Sequence, residues 1–69
     1  MENKFSEQLR YLRLEAGLTR AQLAEKLSVS VRLISYYENG ERECDFNTLI
    51  KIADIFSVSV DYLLGRKDY

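Results

Sequence analysis

Four times along this 69-residue chain an apolar residue is followed by Ser, Thr or Asp and then, four positions later, by a second apolar residue. The instances are Leu18-Thr19…Leu23, Val29-Ser30…Ile34, Cys44-Asp45…Leu49 and Val58-Ser59…Leu63. Each reads as a helix start. The side-chain oxygen accepts from backbone N–H groups that a first turn leaves without partners, and the flanking apolar pair staples the incoming chain to the helix. Gln22, three residues after Thr19, completes a capping box there. Upstream, Phe5, Leu9, Leu12 and Ala16 recur at helical spacing, so they share one face of a first helix that Gly17 ends. Five helices are therefore expected, at about 3–16, 20–27, 31–38, 46–56 and 60–64. No segment alternates as a strand, because both Ser-Val-Ser-Val stretches, 28–31 and 57–60, read better as chain entering a helix.

The connections are short, and no Pro-rich, Gly-rich or single-charge tract divides the chain. The expected fold class is all-α: one compact five-helix bundle over residues 1–69, with its core in about 5–65. A chain this short buries only about 60% of the surface its unfolded form exposes, which favours an economical helical core. Only Ser28-Val29-Ser30 joins the second and third helices. Three residues are too few for an antiparallel hairpin with extended arms but suit the steep turn of a helix-turn-helix, here about 20–38.

Ten Lys/Arg stand against eleven Asp/Glu, a formal charge of −1. No global positive field would draw such a chain to nucleic acid, so any binding of that kind must come from local placement. One cysteine and no histidine exclude an internal disulfide, a zinc set and an imidazole general base. Neither an enzyme, a cofactor nor a metal is expected. No apolar run approaches the ~20 residues of a membrane span, and "MENKFSEQ" lacks the blocks of a signal peptide. The expected location is cytoplasmic.

Three stretches, "LRYLRLEAGLTRAQLAEKL" (9–27), "VSVRLISYYENGER" (29–42) and "LIKIADIFSVSVDYLL" (49–64), resemble in order and spacing the Cro/repressor-type helix-turn-helix domain, also called the xenobiotic-response-element family. The resemblance covers about residues 5–65. It implies a lambda-repressor-like five-helix bundle and a bacterial or phage repressor that binds double-stranded operator DNA as a homodimer across a two-fold site. It also implies that the third helix enters the major groove and that the start of the second lies against phosphates. Three positions depart from the family pattern. Ser28 stands where the turn usually has glycine, at a cost of ~1 kcal/mol if its backbone is left-handed. Cys44 stands where proline is common, and Glu41 and Glu43 stand where basic residues often meet the DNA backbone.

On a helix starting at Val31, Ile34 and Tyr37 point inward, while Val31, Arg32, Ser35, Tyr36 and Asn39 share the other side, with Leu33 at its edge. Candidate base contacts are Val31, Arg32, Ser35 and Tyr36. Arg32 has the guanidinium to donate twice to guanine O6 and N7, and Val31 the methyls to pack on thymine. Ser35 is small enough for close approach, and Tyr36 suits a base or a phosphate. For each, a solvated or packing side chain is the plainer alternative. Candidate phosphate contacts are Thr19, Arg20 and Gln22, where first-turn N–H groups favour an anion, and Asn39 and Arg42 beyond the third helix. The resemblance further implies an ion pair between Arg13 on the first helix and Glu38, the alternative being two separate surface charges. In the fourth helix, spacing assigns Phe46, Leu49, Ile50, Ala53 and Phe56 to the core. That leaves Ile52, Ile55 and Tyr62 as a dimer seam, since resembling repressors pair through the C-terminal helix and the loop before it. Cys44 reads as a small apolar residue, because Glu43 and Asp45 beside it disfavour a reactive thiolate. "GRKDY" reads as a helix stop followed by a frayed tail or the start of a linker. The competing function is a protein-interaction module, such as an antitoxin or helical adaptor, which the acidic Glu41/Glu43 segment favours.

Overall fold

The computed structural model describes residues 4–67. It is built from α1 (Phe5–Glu15), α2 (Arg20–Leu27), α3 (Val31–Glu38), α4 (Phe46–Phe56) and α5 (Val60–Leu63). No strand occurs among the described residues. Of the first helix expected from residue 3, that residue lies outside them, and Lys4 precedes α1 as its cap residue.

The helix starts follow from local chemistry. Gln22 N–H donates to Thr19 Oγ1 at 3.0 Å, and Thr19 N–H donates back to Gln22 Oε1 at 2.8 Å. Ser30 Oγ accepts from Leu33 N–H at 3.1 Å, and Ser59 Oγ from Tyr62 N–H at 2.9 Å. Asp45 differs from the expectation. Its carboxylate accepts from the Thr48 hydroxyl and makes no hydrogen bond to the backbone of the first turn. That hydroxyl, ahead of weaker contributions from the nearby amides, holds the Asp45 carboxyl below the ordinary carboxylate range.

The two Ser-Val-Ser connections fold alike. Ser28 and Ser57 end α2 and α4 in the left-handed region, at φ 58° and 56°. The following residues, Val29 and Val58, donate back to Ala24 and Ala53 carbonyls at 3.0 Å in both cases. These bonds give the last helical carbonyls partners and turn the chain sharply into the next cap.

Each helix contributes one fully buried apolar side chain to the centre: Leu9, Leu23, Ile34, Ile52 and Leu63. Phe5, Ala24, Leu27, Tyr37 and Ala53 enclose them, with the Phe5 ring edge-on to Tyr37 at 6.0 Å. The short α5 closes the bundle against α1, where Lys4 N–H donates to Leu64 O at 3.3 Å and Gln8 Nε2 to Tyr62 O at 3.2 Å.

Two expectations are corrected here. Ala16 lies beyond the end of α1 and is exposed, so Phe5, Leu9 and the half-buried Leu12 make its inner face without it. In α4 the buried line runs through Leu49, Ile52, Ala53 and Phe56. Phe46 is 83% and Ile50 52% exposed, whereas Ile52, left over by the spacing and placed in a dimer seam by the family resemblance, is 0% exposed and central. In FNTLIKIADIF both stripes satisfy a 3.6-residue period, and the rotation of the helix is set by what it packs on.

Two outcomes test this packing. Ile52→Ala should cost about 2–5 kcal/mol in urea unfolding, as for other buried Ile truncations, while Phe46→Ala should cost less than about 0.5 kcal/mol. Equal costs would mean that α4 is rotated otherwise. Ser28→Gly and Ser57→Gly should each stabilise by roughly 0.5–1 kcal/mol, because a side chain leaves a left-handed position. A loss of stability in both would contradict the backbone described for these turns.

Candidate nucleic-acid interface

The position of α3 is set from its C-terminal end. Glu38, its last residue, carries a side chain with no solvent exposure. Arg13 on α1 donates from Nε to Glu38 Oε2 at 2.6 Å and from Nη2 to Oε1 at 3.2 Å, a two-point fork. Arg13 Nη1 also donates to Leu18 O at 2.9 Å, tying the same guanidinium to the α1–α2 turn. Arg20, the first residue of α2, donates from Nε to Oε1 at 3.1 Å. One buried carboxylate thus joins three helices. Burial pushes its carboxyl upward, but hydrogen bonds from Arg13 and Arg20, with their charges, outweigh that and hold it below the ordinary glutamate value.

With α3 held this way, Ile34 and Tyr37 enter the core and the opposite side faces out. Val31, Arg32 and Asn39 are exposed there, and Ser35 and Tyr36 half-buried. Leu33, expected at the edge of that side, packs partly against the core. Beyond the helix, the Arg42 guanidinium lies over the Tyr36 ring, 5.3 Å from its centroid. A cation over the face of an aromatic ring is attracted by the ring's quadrupole. Although Arg42 is flanked by Glu41 and Glu43, it forms no ion pair with either among the described residues. Glu41 instead accepts from Asn39 Nδ2 at 3.4 Å.

The candidate phosphate contacts fare unequally. Thr19 and Gln22 use their side-chain oxygens within the capping box. Asn39 engages both ends of its amide, donating to Glu41 and accepting from Arg10 Nη2 at 3.4 Å. Arg20 spends Nε on Glu38, and neither of its Nη groups has an acceptor among the described residues. Arg10 is a residue that the sequence did not single out. It lies one turn before Arg13 on α1, with Nε 3.7 Å from Glu38 Oε1 and Nη2 3.4 Å from the Glu38 carbonyl. The signal was present in its i, i+3 spacing from Arg13.

Of the seam candidates, Ile55 and Tyr62 are half-buried, whereas Ile52 is sealed in the core and cannot meet a second copy. Cys44 is half-buried, and its thiol is pushed up to about 11, chiefly by burial and then by Asp45. It stays protonated near neutral pH, which leaves it unreactive. Among the described residues no group of three His, Cys, Asp or Glu side chains is placed to hold a metal ion. No described helix is long and apolar enough to cross a membrane.

A helix-turn-helix family model matches residues 9–63. The HTH-type transcriptional regulator ImmR of Bacillus subtilis is 39% identical over 62 residues, covering 90% of this chain and 49% of ImmR. The chain spans about half the length of the curated relatives it matches, 49% and 52% for two from Bacillus subtilis. Among solved structures, a transcriptional regulator from Listeria innocua superposes with TM-score 0.89 at 40% identity, over 94% of this chain and 61% of that one. The P22 c2 repressor, solved with a synthetic operator, superposes with TM-score 0.85 at 28% identity, over 91% of this chain and 96% of that one.

The pinning of α3 has a measurable pH signature. Because the folded carboxyl of Glu38 titrates below its ordinary 4.5, its contribution is complete above that value and is lost as pH falls through the lowered one. Thermal unfolding of the wild type should therefore fall off more steeply in acid than that of Glu38→Gln. Glu38→Leu, which strands the Arg13 guanidinium, should cost about 3–5 kcal/mol near pH 7. Parallel acid profiles for the wild type and Glu38→Gln would show that the carboxylate does not carry this stability.

Proposed function

Because this chain belongs to the helix-turn-helix family, we propose that it is a sequence-specific DNA-binding transcriptional regulator, a repressor that acts in the cytoplasm as a homodimer on a palindromic operator. The observation that carries this reading is the outward face of α3, held by the buried Glu38 carboxylate, where Val31 and Arg32 are exposed and Ser35 and Tyr36 half-buried beside them. The P22 c2 repressor, which shares the fold, is described bound to operator DNA, and the curated relatives are transcriptional regulators, which supports a non-enzymatic role.

Arg32 stands at the second position of α3, where a guanidinium reaches guanine O6 and N7 without crossing the helix. Val31 offers methyls to thymine, and the Tyr36 ring, backed by Arg42, is a rigid surface one turn further on. Thr19, Arg20, Gln22, Asn39 and Arg42 frame this helix on the phosphate sides, Arg20 keeping both Nη groups and Arg42 all its donors without acceptors among the described residues. One α3 reads one half-site, and two copies paired through the Ile55–Tyr62 side would present two such helices about 34 Å apart.

The test is a footprint on an inverted repeat in the promoter beside the gene. Arg32→Ala should lose about 1–3 kcal/mol of discrimination at one base pair per half-site while non-specific affinity stays the same. Unchanged discrimination in Arg32→Ala would remove Arg32 from the reading set. Binding of a single copy to the full repeat, measured by sedimentation, would remove the dimer.

A further inference from the structure

We propose that Arg10 and Arg20 form a two-guanidinium clamp for one phosphodiester of the DNA backbone, assembled on the buried carboxylate of Glu38. The proposal rests on the DNA-binding reading above and assigns Arg10, on α1, a direct role in it. Both Nε atoms approach the same oxygen, Glu38 Oε1, at 3.7 Å for Arg10 and 3.1 Å for Arg20. The two nitrogens are therefore no farther apart than those distances added, close enough for one phosphate to take a hydrogen bond from each guanidinium. Arg13 alone already supplies Glu38 with a buried two-point partner. Arg10 and Arg20 bring two further charges to an anion that needs neither, and their side chains stay 46% and 43% exposed.

The donors fit that use. Arg20 has both Nη groups without acceptors among the described residues, and Arg10 spends Nη2 only on two long bonds of 3.4 Å, to Glu38 O and Asn39 Oδ1. A phosphate oxygen accepts such N–H groups in shorter, charge-assisted bonds. Its charge also suits the N-terminus of α2, where Arg20 is the first residue. The carboxylate acts as a scaffold that fixes two flexible side chains side by side, so less conformational freedom is given up on binding. In a chain with net charge −1, this cluster supplies a local excess of two positive charges.

Fluorescence anisotropy with a non-specific duplex, followed across a salt series, separates the outcomes. Losing the one phosphate that the clamp neutralises should flatten the slope of log K against log salt by about 0.9. The Arg10→Gln/Arg20→Gln double variant should flatten it by about that amount, one phosphate and not two, while Arg10→Gln alone should weaken binding to the non-specific duplex, and Arg10→Lys should keep the wild-type slope because it keeps the charge. Lys51→Gln, on the exposed side of α4, should also keep it. Wild-type affinity in Arg10→Gln overturns the clamp, and so does a double-variant flattening of about 1.8, which would mark two separate phosphate contacts. So does a flattened slope in Arg10→Lys, which would mark Arg10 as a structural cap on α3, or in Lys51→Gln, which would mark a net-charge effect. Absence of any salt-dependent affinity in the wild type overturns the DNA-binding reading itself, a separate result from all of these.

Discussion

The architecture depends on one buried carboxylate. Glu38 ends the helix that carries the candidate reading face, and its side chain is removed from water between α1, α2 and α3. Stripping a carboxylate of its hydration costs several kcal/mol, and only close, hydrogen-bonded cations offset it. Arg13 does so from two nitrogens, and with its third it fastens the turn at Leu18, so the same guanidinium sets the spacing of all three helices. An acid exposed on a helix proposed to meet DNA would repel phosphate. Buried and over-neutralised by three arginines, it instead holds positive charge at the edge of that face.

This reconciles an acidic composition with the proposed nucleic-acid partner. Net charge governs the field at long range, but contact energies follow the charges within a few ångströms of the surface involved. The acids near α3 are engaged locally: Glu38 inside the arginine cluster and Glu41 on Asn39. Arg42, between two glutamates, lies on the Tyr36 ring instead of pairing with either. The result is a small basic site on an otherwise balanced surface, which supports the proposed reading of few phosphate contacts beside a specific α3.

The frame around this site tolerates backbone strain. Two serines occupy left-handed positions that glycine would adopt with less strain, in two connections with nearly identical geometry. Each lies between a helix end that needs its carbonyls satisfied and a cap serine two residues later, and the hydrogen bonds made on both sides hold the turn in place. Across the turn, Leu23 and Ile34 bury completely, which commits α2 and α3 to one relative orientation.

The number of helices, the starts of the last four and the inner side of α3 were legible in the chain because they depend on neighbours in sequence. A cap oxygen reaches an N–H three residues away, and Ile34 and Tyr37 are bound to share a face whatever lies opposite. Arg13 and Glu38 were paired only by family resemblance, for nothing within 25 residues of separation obliges them to meet. The rotation of α4 was not legible. In a helix this apolar, Phe46 and Ile50 compete with Ile52 for the inner face, and only the shape left by Leu9, Leu23, Ile34 and Leu63 selects Ile52. The i, i+3 spacing puts Arg10 on the side of Arg13, but its convergence with Arg20 was not legible, since a guanidinium takes its partner from whatever acid the fold brings near. Local hydrogen bonding and helical period are properties of the chain, whereas burial and long-range charge pairing arise from packing among helices far apart in sequence.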